Sequence, residues 1–275
     1  MRQAAKIVTL LLASFALALM LQWGGGVSPI QASHQNSPAR TQAEVASSGS
    51  VFLPIVVAPS CPSTGGIRLQ MGKVAAGSIT SASEKDAHDF CGNEGDIIRL
   101  DMSTTTGDLN PEATIYRADG TQLCDVSSIS SNFTLECALD TDGTHKILVG
   151  DRYGDDTGSY AIYLQRLNNP GGATAKNFGD VVTGALTSIV ERDTYTFEGA
   201  IGDVIRFDMS TTTGGLNPEA TIYRADGTQL CDESSISSSF TMECTLDTNG
   251  IHKILVGDRS QNDTVSYMLS LTRLN

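Results

Sequence analysis

The residues able to do chemistry in this chain are six cysteines, four histidines and a recurring set of aspartates. The histidines are His34, His88, His145 and His252. A histidine acts as a general base only beside a nucleophile and an orienting group. The sequence holds no HExxH metal motif, no G-x-S-x-G elbow and no glycine-rich phosphate loop. Folding could join distant residues such as Ser159 and His145, yet His145 and His252 fall mid-strand at core-facing positions, where a histidine more often serves as a buried hydrogen-bonding residue. We therefore expect no catalysis and no resident cofactor.

The aspartates suggest a hard cation. Asp140 with Asp142, and the loop residues Asp151, Asp155 and Asp156, offer the oxygen ligands that calcium takes. Their repeat counterparts are Asp247 with Asn249, and Asp258 with Asn262 and Asp263. In Asp140-Thr141-Asp142-Gly143, however, glycine stands fourth, whereas an EF-hand loop needs it sixth, and no bidentate glutamate follows in frame. The same acids can simply end strands and keep the surface soluble, so calcium is the weaker of two open readings.

The cysteines point to an oxidising compartment. Cys124 and Cys137 recur as Cys231 and Cys244, while Cys61 and Cys91 have no second copies, since Glu198 stands where Cys91 would recur. No C-x-x-C spacing favours a metal site, so disulfides are expected. The repeat selects the pairing 61–91, 124–137 and 231–244 from the fifteen that six cysteines allow.

These residues sit on a duplicated unit. GDIIRLDMSTTTGDLNPEATIYRADGTQLCD from Gly95 lies over GDVIRFDMSTTTGGLNPEATIYRADGTQLCD from Gly202, and the alignment runs without a gap from Gly72 over Gly179 to Asn168 over Asn275. So much identity marks a duplicated domain, and a unit of about 100 residues can bury a core of its own. The expected organisation is a first repeat over 61–168, a linker at 169–178 and a second repeat over 179–275. Strand signals recur every eight to twelve residues within a copy. In the first copy they cover Lys73 to Ile79, Ala87 to Gly92, Asp96 to Ser103, Ala113 to Ala118, Thr121 to Cys124, Phe133 to Leu139, Thr144 to Gly150 and Ser159 to Leu167. The expected fold is all-β, two tandem jelly-roll-like β-sandwich domains of about eight strands each. Asp119-Gly120 and Asp226-Gly227 read as type I′ hairpin turns, with Asp142-Gly143 and Asn249-Gly250 as a second such pair.

The N-terminal residues describe export. Arg2 and Lys6 precede an apolar run from Ile7 to Leu21, broken by Trp23-Gly24-Gly25-Gly26 and Pro29, which reads as a secretory signal peptide over 1–32. A run this short falls below the roughly 20 residues a membrane-spanning helix needs. Cleavage fits after Ala32, with a second possible position near the glycines, and it removes two basic residues and no acid. No later segment is apolar enough to cross a membrane. Residues 33–60 read as a flexible spacer. Within it, VFLPIVV at 51–57 reads as a short edge strand, or alternatively as a docking element.

Composition narrows the partners. With 18 basic against 31 acidic residues and a net charge of −13, the chain lacks the basic face that nucleic acid requires. Only 6% of it is aromatic, so carbohydrate stacking by both copies is not expected. Tyr116 and Tyr223 read as core or edge-strand residues, and Tyr153 in GDRYGDD is better placed to touch a ligand.

Each copy resembles the bacterial pre-peptidase C-terminal domain, a β-sandwich module. The resemblance rests on Gly184-Ala185-Leu186, then Glu191-Arg192-Asp193-Thr194-Tyr195-Thr196-Phe197, Gly202-Asp203-Val204-Ile205, Ala220-Thr221-Ile222-Tyr223 before Asp226-Gly227, and a closing G-x-x-x-I-L-V strand leading to Ser266-Tyr267. Copy one departs at His88, and both copies carry a histidine, His145 or His252, where an aromatic is usual. The resemblance implies a sandwich found beside secreted peptidases and supplies no catalytic residues. The expectation is a secreted binding or adhesion module, on an extracellular polymer, an envelope surface or a secreted protein. The alternatives are a structural spacer or envelope component, or an accessory factor to a secreted peptidase.

Overall fold

The computed structural model describes residues 61–275 except Gly214 and Leu216. The signal peptide, the spacer and the strand expected at 51–57 lie outside the described residues. The first repeat forms β1 (Ile67–Arg68), β2 (Lys73–Ile79), β3 (Lys85–Gly92), β4 (Ile97–Gly107), β5 (Pro111–Tyr116), β6 (Gln122–Ser127), β7 (Asn132–Ala138), β8 (Gly143–Asp151) and β9 (Gly158–Arg166). The second forms β10 (Thr174–Ala175), β11 (Val181–Leu186), β12 (Asp193–Gly199), β13 (Val204–Thr213), β14 (Pro218–Tyr223), β15 (Gln229–Ser234), β16 (Ser239–Thr245), β17 (Gly250–Asp258) and β18 (Val265–Arg273). Among the described residues there is no helix, and hence none long enough to cross a membrane.

The strands build four sheets. In the first repeat the orders are β1-β3-β8-β5-β6 and β2-β9-β4-β7, and in the second β10-β12-β17-β14-β15 and β11-β18-β13-β16. From β2 to β9 the chain alternates between its two sheets except at the β5–β6 hairpin, which is the jelly-roll winding. The copies are thus all-β jelly-roll sandwiches of nine strands rather than about eight. The added strands, β1 and β10, are two residues long and pair in parallel with β3 and β12. Two residues carry no readable periodicity.

Strand alternation sets what faces inward. In β8, His145, Ile147 and Val149 are buried, and in β9 so are Tyr160, Ile162 and Leu164. Each fully buried aliphatic or aromatic side chain contributes roughly 1.5–3 kcal/mol. These residues meet Phe90, Ile98, Leu100, Met102 and Ile115 in one core, and Phe197, Ile205, Phe207, Ile222, Ile254 and Tyr267 anchor a separate core in the second copy.

The type I′ hairpins are corrected. A type I′ turn needs positive φ at both central residues. Here only the glycines have it, Gly120 at 82° and Gly227 at 88°, and likewise Gly143 at 117° and Gly250 at 116°. Gly120 N donates to the Arg117 carbonyl at 3.0 Å, so Arg117–Gly120 is a type I turn ended by a left-handed glycine. Asp119 acts through its side chain instead, its Oδ1 accepting from Thr121 N at 2.8 Å and from Thr121 Oγ1 at 2.6 Å.

Candidate functional site

Three covalent clips frame the sandwiches. Cys124 of β6 is bonded to Cys137 of β7, and Cys231 of β15 to Cys244 of β16, so each clip joins an edge strand of one sheet to an edge strand of the other. Cys61 is bonded to Cys91 of β3. A loop of about 15 residues closed in this way contributes on the order of 3 kcal/mol in the chain-entropy account.

The described histidines are engaged inside the sandwiches. His145 stacks on Phe90 and His252 on Phe197, with ring centroids 5.2 and 5.4 Å apart. Ser159 belongs to a different arrangement, its Oγ lying 2.9 Å from Ser78 Oγ. His88 Nε2 lies 2.7 Å from Tyr160 Oη, which donates to Asp86 Oδ2 at 2.7 Å. In the second copy Tyr195 replaces the histidine, its Oη 2.7 Å from that of Tyr267, which donates to Asp193 Oδ2 at 2.5 Å. Burial holds the pKa of all three histidines below the ordinary value.

The aspartates divide into three groups. Asp140 pairs with Arg117 and Asp247 with Arg224, each at 2.7 Å. Asp142 Oδ1 accepts from Glu94 N at 2.7 Å, and Asn249 Oδ1 accepts from Ile201 N at 2.8 Å. Asp151, Asp155 and Asp156 do converge, with ligand oxygens within 4.8 Å of one another. Burial raises the Asp151 carboxyl, but donation from the backbone of Asn110, Asp155, Gly154 and Asp156 outweighs it and holds the pKa below the usual range. Asp156 is pushed up, by desolvation and then by the carboxylates of Asp155, Asp151 and Asp108. The second copy fills the same place differently. Asn262 N donates to Asp258 Oδ2 at 2.9 Å, and the amide orientation that its surroundings favour, nitrogen toward the carboxylates, puts that nitrogen 3.1 Å from Asp263 Oδ2 and 3.0 Å from Asp258 Oδ2.

The most constructed polar region lies between the sandwiches. The outer face of the β2-β9-β4-β7 sheet packs on the outer face of the β10-β12-β17-β14-β15 sheet. Arg99 binds Asp101 through Nε at 2.9 Å and Nη2 at 3.1 Å, and its Nη1 donates to Tyr223 Oη at 3.3 Å. Arg192 reaches Asp101 Oδ2 at 3.6 Å and Glu219 Oε2 at 2.9 Å. Tyr223 Oη donates to Glu136 Oε1 at 2.8 Å. Gln261 Nε2 donates to Thr134 Oγ1 at 3.0 Å and Asp101 Oδ1 at 3.3 Å, while Tyr163 Oη donates to the Arg192 carbonyl at 2.7 Å. Burial alone would raise Asp101, but Arg99 and Arg192 outweigh it and keep the carboxylate charged. Burial pushes the Tyr163 phenol up to about 12.

Two apolar contacts flank this network. Leu167 and Ile97 meet Tyr223 and Leu255, while Ala161 and Tyr163 meet Val190 and Ile189. Tyr223 is therefore buried by the neighbouring sandwich and is not a core residue of its own, while Tyr116 points outward and is half-buried. Tyr153 is 60% exposed, the one large aromatic so placed among the described residues.

A groove of about 460 Å³ runs along this junction. Its walls include Ser103, Thr105, Ser131, Thr187, Ser188 and Asn262, with Ile189 and Gln261 at the contact. Gln261 takes a left-handed backbone, φ 50°, where the first copy has Gly154. Its Oε1 is buried without a partner. The sequence reading missed Arg99, Asp101, Arg192, Glu219 and Gln261. The usable signal was where the copies differ: Arg192 replaces Lys85, Gln261 replaces Gly154, and Tyr163 stands over Ser270. All three differences fall on the junction.

No protein-family model matches the chain, and no curated protein matches it. Solved structures do. The pre-peptidase C-terminal domain of a collagenase from Bacillus anthracis is 16% identical over 38% of this chain and 98% of its own, with a TM-score of 0.34. A putative secreted protein from Eubacterium rectale is 11% identical over 77% and 80%, with a TM-score of 0.31. Tandem CBM51 modules of a family 98 glycoside hydrolase from Streptococcus pneumoniae are 8% identical over 71% and 82%, with a TM-score of 0.26. The fold class stated here, a tandem all-β sandwich, rests on this chain's own sheets.

Proposed function

We propose that the protein is an exported, non-catalytic binding module that holds an extracellular polymer along the groove between its two sandwiches. One observation carries this: a groove of about 460 Å³ lined by hydroxyl and amide groups is set on a junction held by buried ion pairs, so its polar groups keep a fixed spacing. Such a wall suits a hydroxyl-rich or amide-rich chain, which it meets by hydrogen bonds rather than by aromatic stacking. The histidines support the non-catalytic reading because each described one is occupied within a sandwich. Three disulfides support export. The two repeats are read as modules of the pre-peptidase C-terminal type on the motifs quoted above.

Co-sedimentation of the purified chain with insoluble polysaccharides, collagen and bacterial envelopes tests the reading. Retention on one material should be lost in Thr105→Arg, which fills the groove from an exposed position and leaves the junction intact. Retention that survives this substitution would remove the groove from the function. No retention on any material would favour the spacer reading.

Calcium at Asp151, Asp155 and Asp156 is a second proposal, favoured by their convergence in the first copy. A melting temperature that rises with calcium and falls back with chelator would support it, and an unchanged melt would end it.

A further inference from the structure

The junction inside the chain joins two different faces, and each has an equivalent that is unpaired among the described residues. The first sandwich contributes the outer face of β2-β9-β4-β7, and the second contributes the outer face of β10-β12-β17-β14-β15. The face corresponding to the first, β11-β18-β13-β16, is open at the far side of the second sandwich. The face corresponding to the second, β1-β3-β8-β5-β6, carries no second sandwich among the described residues of the first, only the segment from Cys61 to Gly66 at one end. We propose that these two open faces dock on each other between copies of this chain, repeating the internal junction head to tail.

The residue inventory supports this pairing. Arg99, Asp101 and Thr134 recur on the open face as Arg206, Asp208 and Thr241: Thr134 and Thr241 each donate to the aspartate Oδ1 at 2.6 Å, and each arginine pairs with its aspartate, Arg99 through Nε and Nη2 and Arg206 through Nε alone. Arg206 and Asp208 are already paired at 3.0 Å, with side chains 45% and 37% exposed against 8% and 0% for Arg99 and Asp101. On the opposite open face, Lys85 and Glu112 form the ion pair that matches Arg192 and Glu219. Tyr116 and Leu148 stand half-buried where Tyr223 and Leu255 are buried.

The apolar contacts also have their equivalents. Leu274, 48% exposed, with Val204 takes the place of Leu167 and Ile97, and would meet Tyr116 and Leu148 of the next copy. At the second contact the sizes are exchanged. Inside the chain, small Ala161 meets Ile189 and Val190, whereas on the open faces large Met268, 40% exposed, would meet small Ala82 and Ser83. Each open face also carries a cavity, of about 430 Å³ around Asp208 and Met268 and about 270 Å³ around Tyr116 and Leu148. The contact is heterologous, so it propagates into a filament or closes into a ring instead of stopping at a symmetric dimer. It does not depend on what the junction groove binds.

Sedimentation velocity of the purified chain over a range of concentrations tests the proposal. The mass should rise with concentration beyond that of a dimer. Leu274→Glu removes one face and Leu148→Glu the other, so each variant should sediment as a monomer, with an unchanged far-UV spectrum and thermal melt as the check on folding. An equimolar mixture should form heterodimers and stop there, because each variant keeps the face the other has lost. A parent chain that stays monomeric up to its solubility limit would overturn the proposal. So would variants that remain unassociated when mixed, or a dimer that neither substitution touches.

Discussion

Strands β5 and β14 have the same six residues, Pro-Glu-Ala-Thr-Ile-Tyr, and the same place in the same topology. Yet Thr114 and Tyr116 are half-buried, while Thr221 and Tyr223 are closed off from solvent. The same holds for Arg99-x-Asp101, buried under a neighbouring sandwich, and Arg206-x-Asp208, open to water. Inward-facing residues behave alike in both copies because each core is local. Outward-facing residues diverge because, among the described residues, only one copy of each face has a partner. Duplication therefore supplies its own control, in which identical side chains are read in two environments.

The largest expected difference tests that control directly. Asp101→Ala leaves Arg99 and Arg192 buried without their carboxylate and should cost about 3–5 kcal/mol, whereas Asp208→Ala should stay within about 0.5 kcal/mol. Urea denaturation of both variants measures the gap, and equal losses would mean that the junction does not form in solution. Next come the hairpin glycines. Gly120→Ala and Gly227→Ala both force a side chain into the left-handed region, at about 1–2 kcal/mol. A Cβ at Gly227 would also stand 2.8 Å from the backbone nitrogen of Asn168, while one at Gly120 meets nothing. Gly227→Ala should therefore melt lower, and equal melts would place the β14–β15 hairpin away from the first sandwich.

A smaller effect separates the copies in acid. Desolvation lowers the His88 pKa, with Asp86 and Asp89 opposing, and it also lowers that of His145; the second copy has His252 alone. A histidine held neutral in the fold stabilises fully above its unfolded pKa of about 6.5, and that contribution is lost as pH falls from there toward the depressed folded value. His88→Tyr installs the residue found at Tyr195 and should reduce the loss of melting temperature between neutral and mildly acid pH. An unchanged pH profile would show that His88 is not held neutral. The smallest effect is at the acidic loops. Without calcium, Asp156→Asn should raise the melting temperature slightly at neutral pH, by removing a charge its neighbours disfavour. Asp263→Asn should lower it slightly, because it weakens an acceptor of Asn262.

What the sequence made legible follows the same division. Strand existence, the inward positions of Ile147, Val149, Tyr160 and Ile162, and the cysteine pairs are encoded locally or by the repeat, and all could be read in advance. The turn type escaped because Asp-Gly suits a type I turn ended by glycine as well as a type I′ turn, and the Asp119 side-chain bonds to Thr121 decide between them. The junction escaped because nothing in the spacing Arg99-x-Asp101 distinguishes it from an ordinary charged pair on a solvated face. Only the docking of a second sandwich gives them their role, and no periodicity within one strand reports on it.

The bond from Cys61 to Cys91 also sets how the molecule carries tension. A pull applied at residue 61 passes through sulfur straight into β3, so the 30-residue separation from 61 to 91, with β1 and β2 inside it, cannot lengthen. Reducing that bond would release about 100 Å of slack, at roughly 3.4 Å per residue. The second sandwich, with Glu198 in the corresponding place, has no such bypass. Under load, unfolding of the first sandwich would therefore release less chain than unfolding of the second.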